Sequence, residues 1–520
     1  MSAAPLSSAP SSNGFQRFLS GIERVGNALP HPATLFVLLA ALVVVLSWAL
    51  HAAGVEVVHP GTGKTMGVVN LLSIDGLHRI IVGALPNFVN FAPLGTVIVC
   101  LIGLAVAEHS GLLSAVLRVT VLATHPRLLT LVVVFCGTMS HTGSDVGYVL
   151  FIPLSAALFH AVGRNPLVGL AAAFAGVSGG FAANVLLSTS DVLLSALSQE
   201  AARLIRPDYI VTPMSNYYFM AASVILIVGL ATWVTERVVE PRLGRYDGTL
   251  QAAPLERLST REKKGLGWAL ASGLALTGVI LAGLIPADGF LHDPKQPGFL
   301  QSYFIRGLVF FIFLYGLVMG VAYGLAAGTT RNDHDVIKGM TKSIQDIASY
   351  IVLVFFIAQF VAVFAWTNLA VVLAVEGAEF LRWLNLGPIP LMIAFVLLAA
   401  VIDLVLGSAS AKWAVMAPIF VPMFMLLGYS PEMAQAAYRI GDSVVNIVTP
   451  LMTYFPLILT FAQRYQPSAG IGTLVALMFP YSLWFLVGWT LFLVIWIFLG
   501  WPLGPGAPLF LPEAEVPSQP

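Results

Sequence analysis

The sequence predicts an all-α polytopic membrane protein with about nine transmembrane helices and two re-entrant helical hairpins. Three observations predict it. Charged residues are 10% of the 520, where a soluble domain averages roughly 25%. Hydrophobic residues reach 58% and mean hydropathy is +0.89. Two long apolar stretches, 128–200 and 404–465, are interrupted by Gly, Ser, Asn, Pro and a few charges. A soluble chain of this length needs roughly 130 charged residues; here Lys+Arg is 25 and Asp+Glu is 25, giving 50. Their balance of zero leaves no basic excess for nucleic acid. Cys100 and Cys136 both lie in apolar runs, which supports neither a disulfide framework nor a cysteine metal site.

Residues 1–20 read as a disordered cytoplasmic tail, Ser/Ala/Pro-rich over 1–14. Residues 21–127 hold N-terminal transmembrane helices, with apolar runs at 33–53 and 88–107. The first run is too long, and too far from the start, for a signal-peptide core. Residues 128–200 form a first hairpin and broken helix. Residues 201–403 form scaffold and connecting helices, with runs at 220–235, 267–285, 304–327, 347–375 and 389–406. Residues 404–465 form the second hairpin and broken helix, and 466–502 the last transmembrane helix, with its run at 479–501. The remaining 503–520 form an external tail. The segment 237–264 carries Arg237, Arg242, Arg245, Arg257, Arg261, Lys263 and Lys264, so it is the cytoplasmic loop by the positive-inside rule. Arg17 and Arg24 put the N-terminus on that side, as Arg331, Lys338 and Lys342 do for a second loop. Glu513 and Glu515, with no Lys or Arg nearby, suit the opposite side, which requires an odd number of crossings.

The two interrupted stretches resemble one another. Each has a Ser-rich turn, an apolar arm with a proline, and a polar turn containing Pro166 or Pro431. A second interruption follows, Gly179–Val185 in the first and Gly441–Ile447 in the second, matching as G-x-x-x-x-N-[V/I] through Asn184 and Asn446. Paired interrupted segments in two halves of a chain point to an inverted-repeat transport core. Glycine-rich close packing is the plainer reading, but it leaves the charges unexplained.

Those charges are Asp191, Asp403, Lys412, Arg439 and Asp442. Each costs roughly 2.5–3.5 kcal/mol at a helix centre, so it is kept for pairing, proton relay or a substrate path. Arg439 and Asp442 are three apart and share a helical face, which allows them to pair; Asp191 has no basic residue near it in sequence. Trp413 beside Lys412, in what reads as a Ser-rich turn, offers a ring face for stacking or an interfacial anchor. His141 fits the first site or an ordinary hydrogen bond, and Asp145 and Glu108 fit interface positions.

The segments PLGTVIVCLIGLAVAEHSGLL, GVSGGFAANVLLSTSDVLL, GSASAKWAVMAPIFVPM and YRIGDSVVNIVTPLMTYFPL carry a resemblance over about residues 20–500. In them the chain resembles the AbgT family of p-aminobenzoyl-glutamate transporters, which includes pumps exporting sulfonamide antimetabolites. The resemblance implies a homodimer in the bacterial inner membrane, with the hairpins in a transport core and outer helices as the dimerisation scaffold. It implies no enzyme activity and no bound cofactor, with Na+ or H+ as coupling ion. Transport or substrate contact maps onto Asp191, Ser410, Trp413, Pro431, Arg439, Asp442 and Pro450, and a sodium site onto Asp442, Asn446 and Asp403. The chain departs from the family at His141 and Asp403, where members often carry Asn.

These residues combine into a mechanism. Trp413 stacks an aromatic ring, Arg439 meets an anion with its planar fork, and Ser410 and Asn184 add neutral hydrogen bonds. Asp191 and Asp442 titrate or bind a cation. No GxxxxGK[ST] loop is present, so an ion gradient is the expected energy source. The first reading is a proton-coupled exporter, and the second a sodium-coupled importer of p-aminobenzoyl-glutamate. An integral-membrane enzyme subunit is the distant alternative, disfavoured by 10 scattered histidines and the lack of HExxH.

Overall fold

A computed structural model describes residues 30–58, 65–140, 146–246, 248, 250, 258–286, 288–295, 298, 299 and 301–512. Among the described residues, eight helices are long and apolar enough to cross a bilayer. They become nine if Leu112–Leu122 and Pro126–Met139, bent by 116°, count as one span. Large apolar side chains such as Val82, Ile225 and Phe498 lie exposed on these helices, as a lipid-facing surface requires and a water-facing one disfavours.

The first helices are α1 (Pro32–Ala52), α2 (Ile74–Val89), α3 (Ala92–His109) and α4 (Leu112–Leu122). Between α1 and α2 an antiparallel ribbon of β1 (Glu56–Val58) and β2 (Thr65–Gly67) is the one departure from the all-helical expectation among the described residues. The run expected at 88–107 is longer in the structure, because α2 and α3 together form a line of 36 residues. Next come α5 (Leu129–Met139), α6 (Ile152–Ala161), α7 (Pro166–Phe174), α8 (Thr189–Ala202), α9 (Tyr217–Val234) and the short α10 (Glu240–Leu243). Wider π-type turns extend α6 at its start (Gly147–Phe151) and α7 at its end (Ala175–Gly179).

The middle of the chain forms α11 (Thr260–Leu284), α12 (Tyr303–Arg306), α13 (Leu308–Ala327), α14 (Asp333–Asp346), α15 (Ala348–Trp366) and α16 (Leu369–Trp383). Small residues let α13 press on α3: a Cβ at Gly316 would meet the Gly103 carbonyl oxygen at 2.5 Å, and one at Gly320 the Ala107 nitrogen at 2.6 Å. Such a small-residue stripe is how helices associate where lipid removes the hydrophobic drive. The run expected at 347–375 is in fact two helices. Asn368 breaks it with a left-handed backbone (φ 60°), which asparagine tolerates better than most residues. Its side chain donates to the Gly67 carbonyl at 3.0 Å, tying the break to β2.

The last helices are α17 (Pro388–Asp403), α18 (Ala409–Leu426), α19 (Pro431–Val445), α20 (Phe455–Tyr465) and α21 (Ile471–Leu499). They repeat the order of α5 to α9. In each half a polar residue and a proline start the third helix: Asn165 caps α7 at Pro166, and Ser430 caps α19 at Pro431. The first helix packs on the third in both halves, α5 on α7 and α17 on α19. The halves then exchange equivalent partners. Helix α18 lies on α8, while His160 of α6 meets Tyr465 of α20 edge-on at 6.0 Å. Helices α9 and α21 pack together. Reciprocal contacts of this kind are what two-fold-related repeats produce.

The repeat also shows in its glycines, with Gly176, not the Gly179 matched in sequence, standing where Gly441 stands. A Cβ at Gly176 of the first half would meet the Val134 carbonyl oxygen at 2.6 Å; one at Gly441 of the second would strike the Val396 carbonyl oxygen and reach Ala399 Cβ at 2.7 Å. Gly441→Ala should therefore lower thermal stability. The helix-propensity gain of about 0.5–1 kcal/mol is outweighed by an overpacking cost of about 1–3 kcal/mol against rigid backbone. A melting temperature at or above wild type in detergent would show that α17 and α19 are not so tightly apposed.

Beyond α21 the chain folds back as a strap. Ser430 N–H donates to Leu509 O at 3.0 Å, Leu511 N–H to Gly428 O at 2.8 Å, and Phe219 N–H to Leu503 O at 3.1 Å. The strap thus joins the α18–α19 turn to the start of α9.

Candidate functional site

The first interruption, 180–188, meets the last turns of α19, just before the second interruption at 446–454: Ala182 N–H donates to Ser443 Oγ at 3.1 Å across the repeats. Helix α8 begins just after the first interruption. Its Asp191 lies in the first turn, where carboxylates favour exposed N–H groups and the positive end of the helix dipole. Asp191 Oδ2 accepts from Ser188 N–H at 2.7 Å, Ser188 Oγ at 2.7 Å and Asn184 Nδ2 at 3.0 Å. Its other oxygen takes Arg439 Nη2 of α19 at 2.5 Å. Asp191 and Arg439 are 3% and 2% exposed, so this is a buried ion pair joining one repeat to the other.

Lys412 forms a second buried cluster with Asp403, the last residue of α17, and with Asp442 of α19, whose Oδ1 is 2.6 Å from its ammonium. All three side chains are buried. The hydroxyl of Tyr438 lies 2.5 Å from Ala409 O and 3.3 Å from Asp442 Oδ1; its single proton serves the nearer acceptor. The two clusters combine three carboxylates with two cations.

Helix spacing lets Arg439 and Asp442 pair with each other. The structure instead sends Arg439 to Asp191 and Asp442 to Lys412. Lys412 and Trp413 also do not sit in a loop: Ser408 caps α18 by accepting Ala411 N–H at 3.4 Å, so both lie within its first two turns. Trp413 is fully buried. Its ring stacks on Tyr438 (4.4 Å, 28°), and its indole N–H faces Ser198 Oγ at 3.0 Å and Leu194 O at 3.3 Å.

A cavity of about 270 Å³ opens over the starts of α8 and α18, its Ser190 wall next in sequence to Asp191. Its walls are Tyr148, Phe181, Thr189, Ser190, Gly407, Ala409, Asn446, Met452, Thr453 and Tyr454, drawn from both repeats. Tyr148 and Tyr454 stack at 4.4 Å and 11°. A second cavity of about 340 Å³, bordered by Glu108, His109 and Lys342, shares Thr189 with the first.

The residues singled out from sequence fall as follows. Asp191, Asn184, Arg439, Asp442, Asp403 and Trp413 form the buried centre, and Asn446 faces the cavity. Ser410 is half-buried, 3.3 Å from Ser408 Oγ. Pro431 opens α19, and Pro450 lies half-buried in the second interruption. His141 and Asp145 lie outside the described residues. The sodium ligands read from sequence fit that ion poorly: the Lys412 ammonium stands between Asp403 and Asp442. No group of three or more His, Cys, Asp or Glu side chains able to hold a metal occurs among the described residues. Sequence reasoning missed Ser188, Tyr438 and the Tyr148–Tyr454 stack. Ser188 was legible as the first position of the capping pattern S-x-x-D ending at Asp191; the tyrosines carry no local signal.

The sequence pattern described as the AbgT putative transporter family matches residues 17–511. The p-aminobenzoyl-glutamate transport protein of Escherichia coli (strain K12) is 40% identical over 501 residues, 96% of this chain and 98% of that protein. The crystal structure of the Alcanivorax borkumensis YdaH transporter shares 45% identity at a TM-score of 0.85, covering 92% of this chain and 100% of that one. Neisseria gonorrhoeae MtrF, described within a class of antimetabolite efflux pumps, shares 46% at 0.89, covering 95% and 100%.

Proposed function

The chain belongs to the AbgT family, and on that premise we propose that it exports p-aminobenzoyl-glutamate and related aromatic antimetabolites such as sulfonamides in exchange for protons. One observation carries the reading: the Asp191–Arg439 pair bridges the two repeats, next in sequence to the Ser190 wall of a cavity lined by both. An ionised carboxylate accepts hydrogen bonds at both oxygens; a protonated one turns one oxygen into an O–H donor and accepts more weakly. Aryl amines, amides and sulfonamides all present N–H donors. Such a donor and a proton therefore compete for Asp191, and competition for one carrier group is the condition for exchange. Arg439 holds the carboxylate in place between turnovers and offers its planar fork to an anionic substrate group. The ammonium held between Asp403 and Asp442 favours proton over sodium coupling. The basic segment 237–264, which links α9 to α11, supports a cytoplasmic N-terminus together with Arg17 and Arg24. The two helix pairs, α6 with α7 and α18 with α19, fit re-entrant hairpins within a homodimer of the inner membrane.

The test is flux of labelled p-aminobenzoyl-glutamate and of a sulfonamide in proteoliposomes, with proton and sodium gradients imposed separately. The expected result is movement driven by the proton gradient alone and abolished in well-inserted Asp191→Asn. Accumulation driven by sodium alone would replace this reading with the sodium-coupled importer. Normal proton-driven flux in Asp191→Asn would remove that residue from the mechanism.

A further inference from the structure

We propose that Tyr148 and Tyr454 form the subsite for the substrate's aryl ring, and that Trp413 positions the ion pairs without touching substrate; this rests on the transport reading above. The two rings lie nearly parallel, 4.4 Å apart with 11° between their planes. Their origins make the contact more than local packing. Tyr148 belongs to the turn that starts the first repeat's α6 arm, and Tyr454 ends the second repeat's interruption, 306 residues further on (454 − 148). Both rings face the cavity of about 270 Å³, as does Phe181.

Size and chemistry agree on the occupant. A cavity of about 150 Å³ already holds a benzene ring, so this one, at about 270 Å³, has room for an aryl ring with its amino group. A longer tail must extend beyond it. Parallel rings need to part by only one ring thickness, about 3.5 Å, to admit a third ring, which exchanges one stacked contact for two. The Ser190 hydroxyl and Asn446 amide on the same walls give an aryl amine its polar partners. Trp413 does not line this cavity. It is 0% exposed, one ring face is covered by Tyr438, and its N–H is committed to α8. It spans the two ion-pair clusters from within, since Tyr438 lies on the helix that carries Arg439 and Asp442. Because the tyrosine pair bridges the repeats, inserting a ring between them also reports substrate to the contact between the two halves.

The test is equilibrium binding to purified full-length protein with three probes: p-aminobenzoyl-glutamate, a sulfonamide, and a glutamate amide whose ring is saturated cyclohexane. Tyr148→Phe and Tyr454→Phe should bind all three within about twofold of wild type, because the ring face survives. Tyr148→Leu and Tyr454→Leu should weaken both aryl probes roughly tenfold and leave the cyclohexyl probe unchanged, collapsing the aryl-to-cyclohexyl ratio. A preserved ratio in the leucine variants, with all probes weakened alike or none weakened, overturns the subsite. So does a ratio that collapses in Trp413→Phe while the tyrosine variants keep theirs. Wild-type protein that binds neither aryl probe overturns the transport reading, and the subsite with it.

Discussion

Arg439→Leu is expected to lower unfolding stability by about 3–5 kcal/mol and to end gradient-driven transport, the cost typical of removing one member of a buried ion pair. The reason is what remains. Asp191 would be left at 3% exposure without its cation, held by Ser188 and Asn184, which orient its oxygens but carry no opposite charge. Arg439→Lys keeps the charge and loses the planar fork, so it should retain most stability while substrate affinity falls. The double variant Asp191→Asn/Arg439→Gln should recover most of the lost stability, since removing both partners leaves no unpaired charge, but it should not transport. Thermal unfolding in detergent and proteoliposome flux on the same preparations separate the two effects. Arg439→Leu as stable as wild type would show that the pair is not charged in the folded protein.

Lys412→Met is expected to be about as damaging, by about 3–5 kcal/mol, for a different reason. Here the lost cation faces two carboxylates, Asp403 and Asp442, which would then repel each other across the gap. Adding Asp403→Asn should restore part of the stability, because it removes the repulsion while Asp442 stays a buried carboxylate without a cation. Asp403→Asn alone should be tolerated, since Lys412 keeps Asp442. If Lys412→Met melts like wild type and the second change adds nothing, the ammonium is not the counter-charge the geometry indicates.

The contrast between these pairs shows how far the sequence reaches. Broken helices were legible because Gly, Asn and Pro inside apolar runs have no place in lipid-facing backbone. The five charges were legible as costs that must be offset. Partner choice was not. A three-residue spacing makes Arg439 and Asp442 neighbours, yet the ion that meets Arg439 is Asp191, 248 residues earlier (439 − 191). No local pattern encodes that; it follows from α8 and α19 belonging to different repeats that interlock. Trp413 fails for a related reason. Its Ser-rich surroundings read as a turn, whereas Ser408 is a helix cap and the ring points into protein. The Asn368 break escaped notice because one polar residue in a long apolar run perturbs hydropathy too little to mark a boundary.

The strap over residues 503–511 bears on how the second repeat moves. Ser430, whose N–H is held by Leu509, caps the very helix that carries Arg439 and Asp442. Displacing the 428–430 turn alone would sacrifice two backbone hydrogen bonds, about 0.5–1.5 kcal/mol each. Displacing it together with the strap sacrifices neither, but pulls on Leu503 and hence on the first turn of α9. The tip of the second repeat is therefore leashed to a helix of the first, and its stroke is short unless the leash is let go.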